Sequence, residues 1–266
     1  MKNILVPVDF SPVSRNAYAY AKELGKHLEA KLTVRHYWHP DADAVATMSA
    51  APSAVYTEEL ERSLAAFTGT DKVKSELVPG LAATSIEEAS KDFDMIVMGN
   101  TGDGGVLEEM FGSIASHVSR QAHCPVWLIP PGGRFKGLKK IMFASDFETA
   151  SDRILEEIVK LGHAFGSDIH LVHVNEDKSA PATDVKSRFA AHSELTNISL
   201  HTLQNDSVWD GLEEFAKENG INLSVVVTKH RSFWENLWHS STTKEIVLQA
   251  DTPLVVLHTD EEESLV

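Results

Sequence analysis

The stretch from Gly99 to Ser113 has the residue types and spacing of an anion cradle. It reads Gly99-Asn-Thr-Gly102, then nine residues, then Gly112-Ser113. Glycines let the backbone approach an anion closely, and free N–H groups can point inward. A helix N-terminus adds partial positive charge. The apolar run Met95-Ile-Val-Met98 precedes the loop, and an amphipathic run from Ile114 to Ala122 follows it. Strand, glycine loop, helix is the order that a phosphate site requires. The spacing is neither that of Walker A nor that of the dinucleotide fingerprint. Ser113, at the expected helix start, suits either a cap or a hydroxyl donor to phosphate, and the two roles are compatible. Asp9 ends an apolar run at the start of the chain and offers a carboxylate.

Other reactive residue types point to less chemistry. No lysine or arginine lies between Gly99 and Ser116, so a transferred phosphoryl group would lack an electrostatic clamp. Glu108 and Glu109 supply only carboxylates there. Among thirteen histidines, His36 and His173 sit near expected strand ends and read as structural, hydrogen-bonded side chains. His230, His239 and His258 show no metal-ligand spacing, so no metal held by protein side chains is expected. The single cysteine, Cys124, excludes an intrachain disulfide and reads as inert. The net charge is −15, which argues against nucleic acid and anionic membrane surfaces as partners. No signal peptide and no membrane span is read, so a cytoplasmic location is expected.

The elements that must position these residues occur twice. Lys2-Asn-Ile-Leu-Val-Pro-Val-Asp9-Phe10 matches Lys139-Lys-Ile-Met-Phe-Ala-Ser-Asp146-Phe147 at an offset of 137. The same offset carries Leu24-Gly25 onto Leu161-Gly162, and His36 onto His173. A period near half the chain means two copies of one fold. We expect domains at 1–131 and 138–260, joined through Pro130-Pro-Gly-Gly-Arg134. In the first copy the pattern predicts strands near 3–8, 32–38, 72–78, 94–99 and 125–130, and helices near 13–29, 55–68, 82–91 and 113–122. In the second it predicts strands near 139–145, 168–174, 197–203, 222–228 and 254–258, and helices near 149–166, 181–194, 207–219 and 240–250. Alternating strands and helices with apolar strands imply a parallel sheet covered on both faces. Ligands of such sheets bind beyond the carboxyl ends of the strands, where the strand order switches.

The motif Val6-Pro7-Val8-Asp9-Phe10-Ser11, the pattern Gly99-x2-Gly102-x9-Gly112-Ser113 and the ending His117 to Val126 resemble the universal stress protein family. The resemblance covers nearly the whole chain as two tandem domains. It implies two Rossmann-like α/β domains of the adenine nucleotide alpha hydrolase-like kind, each a five-stranded parallel sheet with helices on both faces. It also implies an adenine nucleotide site for ATP, ADP or AMP, with Mg²⁺ or Mn²⁺ carried by the phosphates. On that basis Pro7, Val8 and Asp9 would line the adenosine end, with Tyr37 beside adenine. Met98 and Gly99 would open the loop, Thr101 and Gly102 would approach the phosphates, and Gly112, Ser113 and Ile114 would cap them. In relatives the last strand pairs domains across a two-fold, so Val126–Ile129 and Leu254–Leu257 are expected to make an intrachain pseudo-dimer, open to further homodimerisation.

The second copy departs from this pattern. Val227 to Ser241 contains no glycine in any register, and Pro7 becomes Ala144. We therefore expect ATP in the first domain only. Lys229, His230, Arg231 and Ser240-Ser241 still offer charge or a helix start to an anion. Phe233, Trp234, Leu237 and Trp238 read as a plug over a lost site, or as an apolar ligand or partner surface. The function expected is a nucleotide-responsive regulatory module with an unknown protein partner. A scaffold without nucleotide and a slow ATPase are the alternatives.

Overall fold

A computed structural model describes residues 2–39, 54–101, 113–145, 152–175, 197–228 and 252–258. The described residues form two compact units that meet in the chain between Pro131 and Gly132. The loop residues Gly102 and Gly112, Asp146, the expected helices at 181–194 and 240–250, and the segment from Lys229 to Ser241 lie outside the described residues.

The first unit runs β1 (Asn3–Val8), α1 (Pro12–His27), β2 (Lys31–Trp38), α2 (Ala54–Thr68), β3 (Lys74–Pro79), α3 (Ala82–Ala89), β4 (Met95–Gly99), α4 (Ser113–Gln121) and β5 (Val126–Ile129). Its strands lie in the order β3-β2-β1-β4-β5, and all neighbours are parallel. The apolar runs explain this: β4 and β5 are buried at every position, as strands covered on both faces must be. By the right-handed rule for crossovers between parallel strands, α1 and α2 belong on one face and α3 and α4 on the other. Tyr18 of α1 meets Phe67 of α2 at 5.6 Å between ring centroids. Across the sheet, His117 of α4 meets Glu87 of α3 at 2.7 Å.

Local signals set most of the boundaries. Ser11 caps α1 by accepting from the Ser14 N–H at 3.1 Å, and Pro12 occupies the first turn. The helix stops at His27, two residues before the expected end, because the chain turns left-handed at Glu29 (φ 50°) and Ala30 N–H bonds back to Gly25 O. β3 starts at Lys74 rather than 72 because Val73 N–H is turned onto Asp71 O at 2.9 Å. The helix expected over 82–91 is α-helical to Ala89 and then tightens into a 3-10 turn, Ser90–Asp92.

The second unit runs β6 (Lys140–Ala144), α5 (Asp152–Phe165), β7 (Asp168–Asn175), β8 (Ile198–Gln204), α6 (Val208–Asn219), β9 (Leu223–Thr228) and β10 (Leu254–His258). Its strand order is β10-β9-β6-β7-β8, again all parallel. This is the order of the first unit, element for element, as the repeat predicts. Gly220 closes α6 in the left-handed conformation (φ 63°), where a side chain would be strained. No helix among the described residues is long and apolar enough to cross a membrane.

Candidate functional site

The strand order of the first unit reverses direction between β1 and β4, so the crevice for a ligand opens at their carboxyl ends. The two strands are laddered through Ile4–Met95 and Leu5–Ile96, and the pairing stops there. Two residues further on stands Pro7, which has no N–H to give to a ladder. Carried forward, the register sets Val8 level with Gly99, where both strands end. Pro7 thus ends the hydrogen-bond ladder at the place where the sequence puts Asp9 and the glycine loop. Pro7, Val8 and Met98 are buried in its walls.

The turn from β1 into α1 forms one side of this crevice. Asp9 is exposed, and its Oδ1 accepts the Ser11 N–H at 3.0 Å. Phe10 follows at φ 66°, a left-handed conformation that a bulky residue rarely adopts. Its ring stacks on His36 with centroids 4.2 Å apart, and tilts against Phe67 at 5.8 Å. His36 Nδ1 lies 2.8 Å from Val8 O. A carbonyl can only accept, so Nδ1 carries the proton and Nε2 presents a lone pair. Burial pushes the His36 pKa down, against the Val8 hydrogen bond and the Asp9 charge, which raise it.

The other side begins at Gly99. Its φ is unexceptional; the reason for glycine is space. A Cβ there would lie 2.7 Å from Val13 Cγ1 and 3.2 Å from Thr101 O. Gly99 therefore lets the first turn of α1 close onto the backbone after β4. Asn100 donates its N–H to Ile129 O at 3.2 Å, while its side chain is only 4% exposed and its Oδ1 has no hydrogen-bond partner. Thr101 is half-buried. Ser113 is exposed at the first position of α4, with Ile114 beside it at 38% exposure. Tyr37 lies inside β2, which extends one residue beyond it, and its side chain is buried. Burial is the main cause of its raised pKa. His36, Phe10 and Asn100 are the rim residues that motif matching passed over. Their signals were available: His36 recurs in the repeat, and Asn100 lies between two loop residues.

The family model described as the universal stress protein family matches residues 1–130 and again 137–258. The chain belongs to the universal stress protein family. A universal stress protein of Methanocaldococcus jannaschii is 30% identical over 141 residues, 48% of this chain and 81% of that one. One of Mycobacterium tuberculosis is 26% identical over 138 residues, so the alignment spans about half of each chain. The crystal structure of a universal stress protein from Archaeoglobus fulgidus superposes with a TM-score of 0.71 at 16% identity, covering 97% of this chain and 96% of that one. At that identity the likeness concerns the fold.

The second universal stress protein repeat differs at the crevice. Ala144 stands where Pro7 stands in the first. The ladder between β6 and β9 runs without a break from Ile141–Leu223 through Met142–Ser224 and Phe143–Val225 to Ala144–Val226. The repeat histidine keeps its place: His173 Nδ1 lies 3.3 Å from Ser145 O, as His36 Nδ1 lies against Val8 O. The strand-end scaffold is thus shared, and the early end of the ladder between the two central strands is not.

Proposed function

We propose that this protein binds an adenine nucleotide, ATP accompanied by Mg²⁺ or Mn²⁺, in its first repeat and not in its second, and acts as a nucleotide-responsive regulatory module. The observation that carries this reading is the β1–β4 ladder that stops before Pro7, set against the β6–β9 ladder that continues through Ala144. The residues at this rim offer what a nucleotide requires. Asp9 supplies a carboxylate for ribose hydroxyls. Asn100 has a buried acceptor without a partner, and buried polar groups without partners are rare. The start of α4 at Ser113 supplies N–H groups and a positive dipole end for phosphate. Gly102 and Gly112 complete the loop by sequence. The divalent cation is held by the phosphates, and the Ser113 hydroxyl is the side-chain oxygen offered to phosphate or cation. Turnover is expected to be slow, because the loop holds no lysine or arginine.

Calorimetric titration of the full chain with ATP and Mg²⁺ tests the reading. One site per chain is expected, weakened at least tenfold by Asp9→Ala and unchanged by Asp146→Ala. No heat at millimolar ATP, together with no nucleotide released from freshly purified, denatured protein, overturns it in favour of a scaffold.

A further inference from the structure

A second cluster of potential ligands lies in the second unit, on the two strands at one side of its sheet. Ser199 of β8 stands opposite His170 of β7 in the ladder, and His201 follows two residues later on the same face of β8. Three atoms converge there. His170 Nδ1 and His201 Nε2 are 3.2 Å apart, Ser199 Oγ is 3.2 Å from the first, and it is 2.9 Å from the second. Phe215 of α6 lies against both imidazoles, at 4.7 Å from His201 and 5.9 Å from His170.

Two imidazole nitrogens and a hydroxyl thus face one point. Each neutral imidazole has one N–H, and the serine has one O–H. Ser199 Oγ also lies 3.5 Å from Ile169 O, which can take the hydroxyl proton. One shared N–H can then join the two nitrogens, and the tautomers that remove it leave three lone pairs turned toward the same point. His170 Nε2, on the far side of the ring, is buried and has no partner.

A cation satisfies all three contacts at once. With metal–nitrogen bonds of about 2.0–2.1 Å, nitrogens 3.2 Å apart subtend about 100–106° at the metal, near the tetrahedral angle. We infer that His170, His201 and Ser199 form a site for a divalent transition metal ion of the Zn²⁺, Ni²⁺ or Cu²⁺ class, the ions that imidazole suits. The two imidazoles are the principal ligands, the hydroxyl is a weaker third, and water fills the remaining position. Both histidines are only partly buried, so the ion enters directly from solvent. Burial and, for His170, the neighbouring His201 hold the imidazoles below their ordinary pKa, which favours the neutral form that ligates. No group of three or more His, Cys, Asp or Glu is placed for a metal among the described residues, so this is a two-imidazole site.

Titrating the nucleotide-free full chain with Zn²⁺ alone tests the assignment. A site is expected that His170→Gln or His201→Gln weakens at least tenfold, that Ser199→Ala weakens less, and that His27→Gln on α1 leaves unchanged. Substoichiometric Cu²⁺ added to the wild-type chain should broaden the His170 and His201 ring signals first in long-range ¹H–¹⁵N spectra, a readout independent of any variant's folding. Zinc affinity unchanged from the wild-type chain in both histidine variants, or copper broadening that starts at other histidines, overturns it.

Discussion

The two repeats share a first strand, a strand order and an imidazole fixed to the end of that strand, yet within that strand they part company at Pro7 and Ala144. In the first, Pro7 cannot donate to a neighbour, and the ladder to β4 ends after two pairs. In the second, Ala144 can donate, and the ladder to β9 continues through it. On the proposed reading, the hydrogen bond missing at Pro7 sets the first crevice apart as much as the glycine loop above it does.

The largest expected effect on this comparison comes from the loop itself. Gly102→Val should abolish ATP binding to the full chain, whereas substitutions at Lys229 or His230 should leave calorimetric affinity within twofold. Next, Ala144→Pro should break the second ladder. A buried ladder acceptor that loses its donor costs on the order of 1–3 kcal/mol, which chemical denaturation will register. A smaller loss would show that the ladder is slack there. Gly99→Ala should cost a similar ~1–3 kcal/mol, since its Cβ meets Val13 and Thr101, and overpacked interiors resist. The reverse exchange, Pro7→Ala, should extend the first ladder toward that of the second repeat and weaken ATP binding several-fold with little change in stability.

The smallest effects are those of pH. Burial holds His36, His170 and His201 below the usual 6.5, so unfolding takes up protons. Their contribution to stability is complete above 6.5 and is lost as pH falls below it. Glu213 in α6 works in the opposite direction. Burial, with Asp210 nearby, pushes its pKa up from 4.5 to about 7, so its penalty is absent below 4.5 and complete above about 7. Thermal melts should show Glu213→Gln stabilising the chain at pH 8 and scarcely at pH 5. An equal shift at both values would mean that the carboxyl is not held protonated.

Much of this architecture was legible because both periodicity and duplication wrote it. The repeat offset located β6 from β1 and His173 from His36, and each described strand lies within two residues of its expected start. Asp9 and Gly99 reach the same rim because the switch in strand order puts them there. What the sequence did not show was three-dimensional pairing. Gly99 looked like a loop residue chosen for an anion, yet its backbone is closed over by Val13, 86 positions earlier in the chain. Phe10 gave no sign of a left-handed backbone, because that residue type ordinarily avoids it. The His170–His201 pair escaped a search for tight metal spacing because 31 residues separate its members, and only the β7–β8 register unites them.

The contact between Gly99 and Val13 also has a mechanical meaning. The backbone after β4 lies so close to the Val13 side chain in the first turn of α1 that a Cβ at position 99 would force one of them to move. Through Tyr18, and through the Arg15 guanidinium lying 4.4 Å above the Phe67 ring, α1 is braced in turn against α2. The close fit at Gly99 thus links the backbone after β4 to a pair of helices packed on each other, and a side chain introduced there would press on that pair rather than on the loop alone.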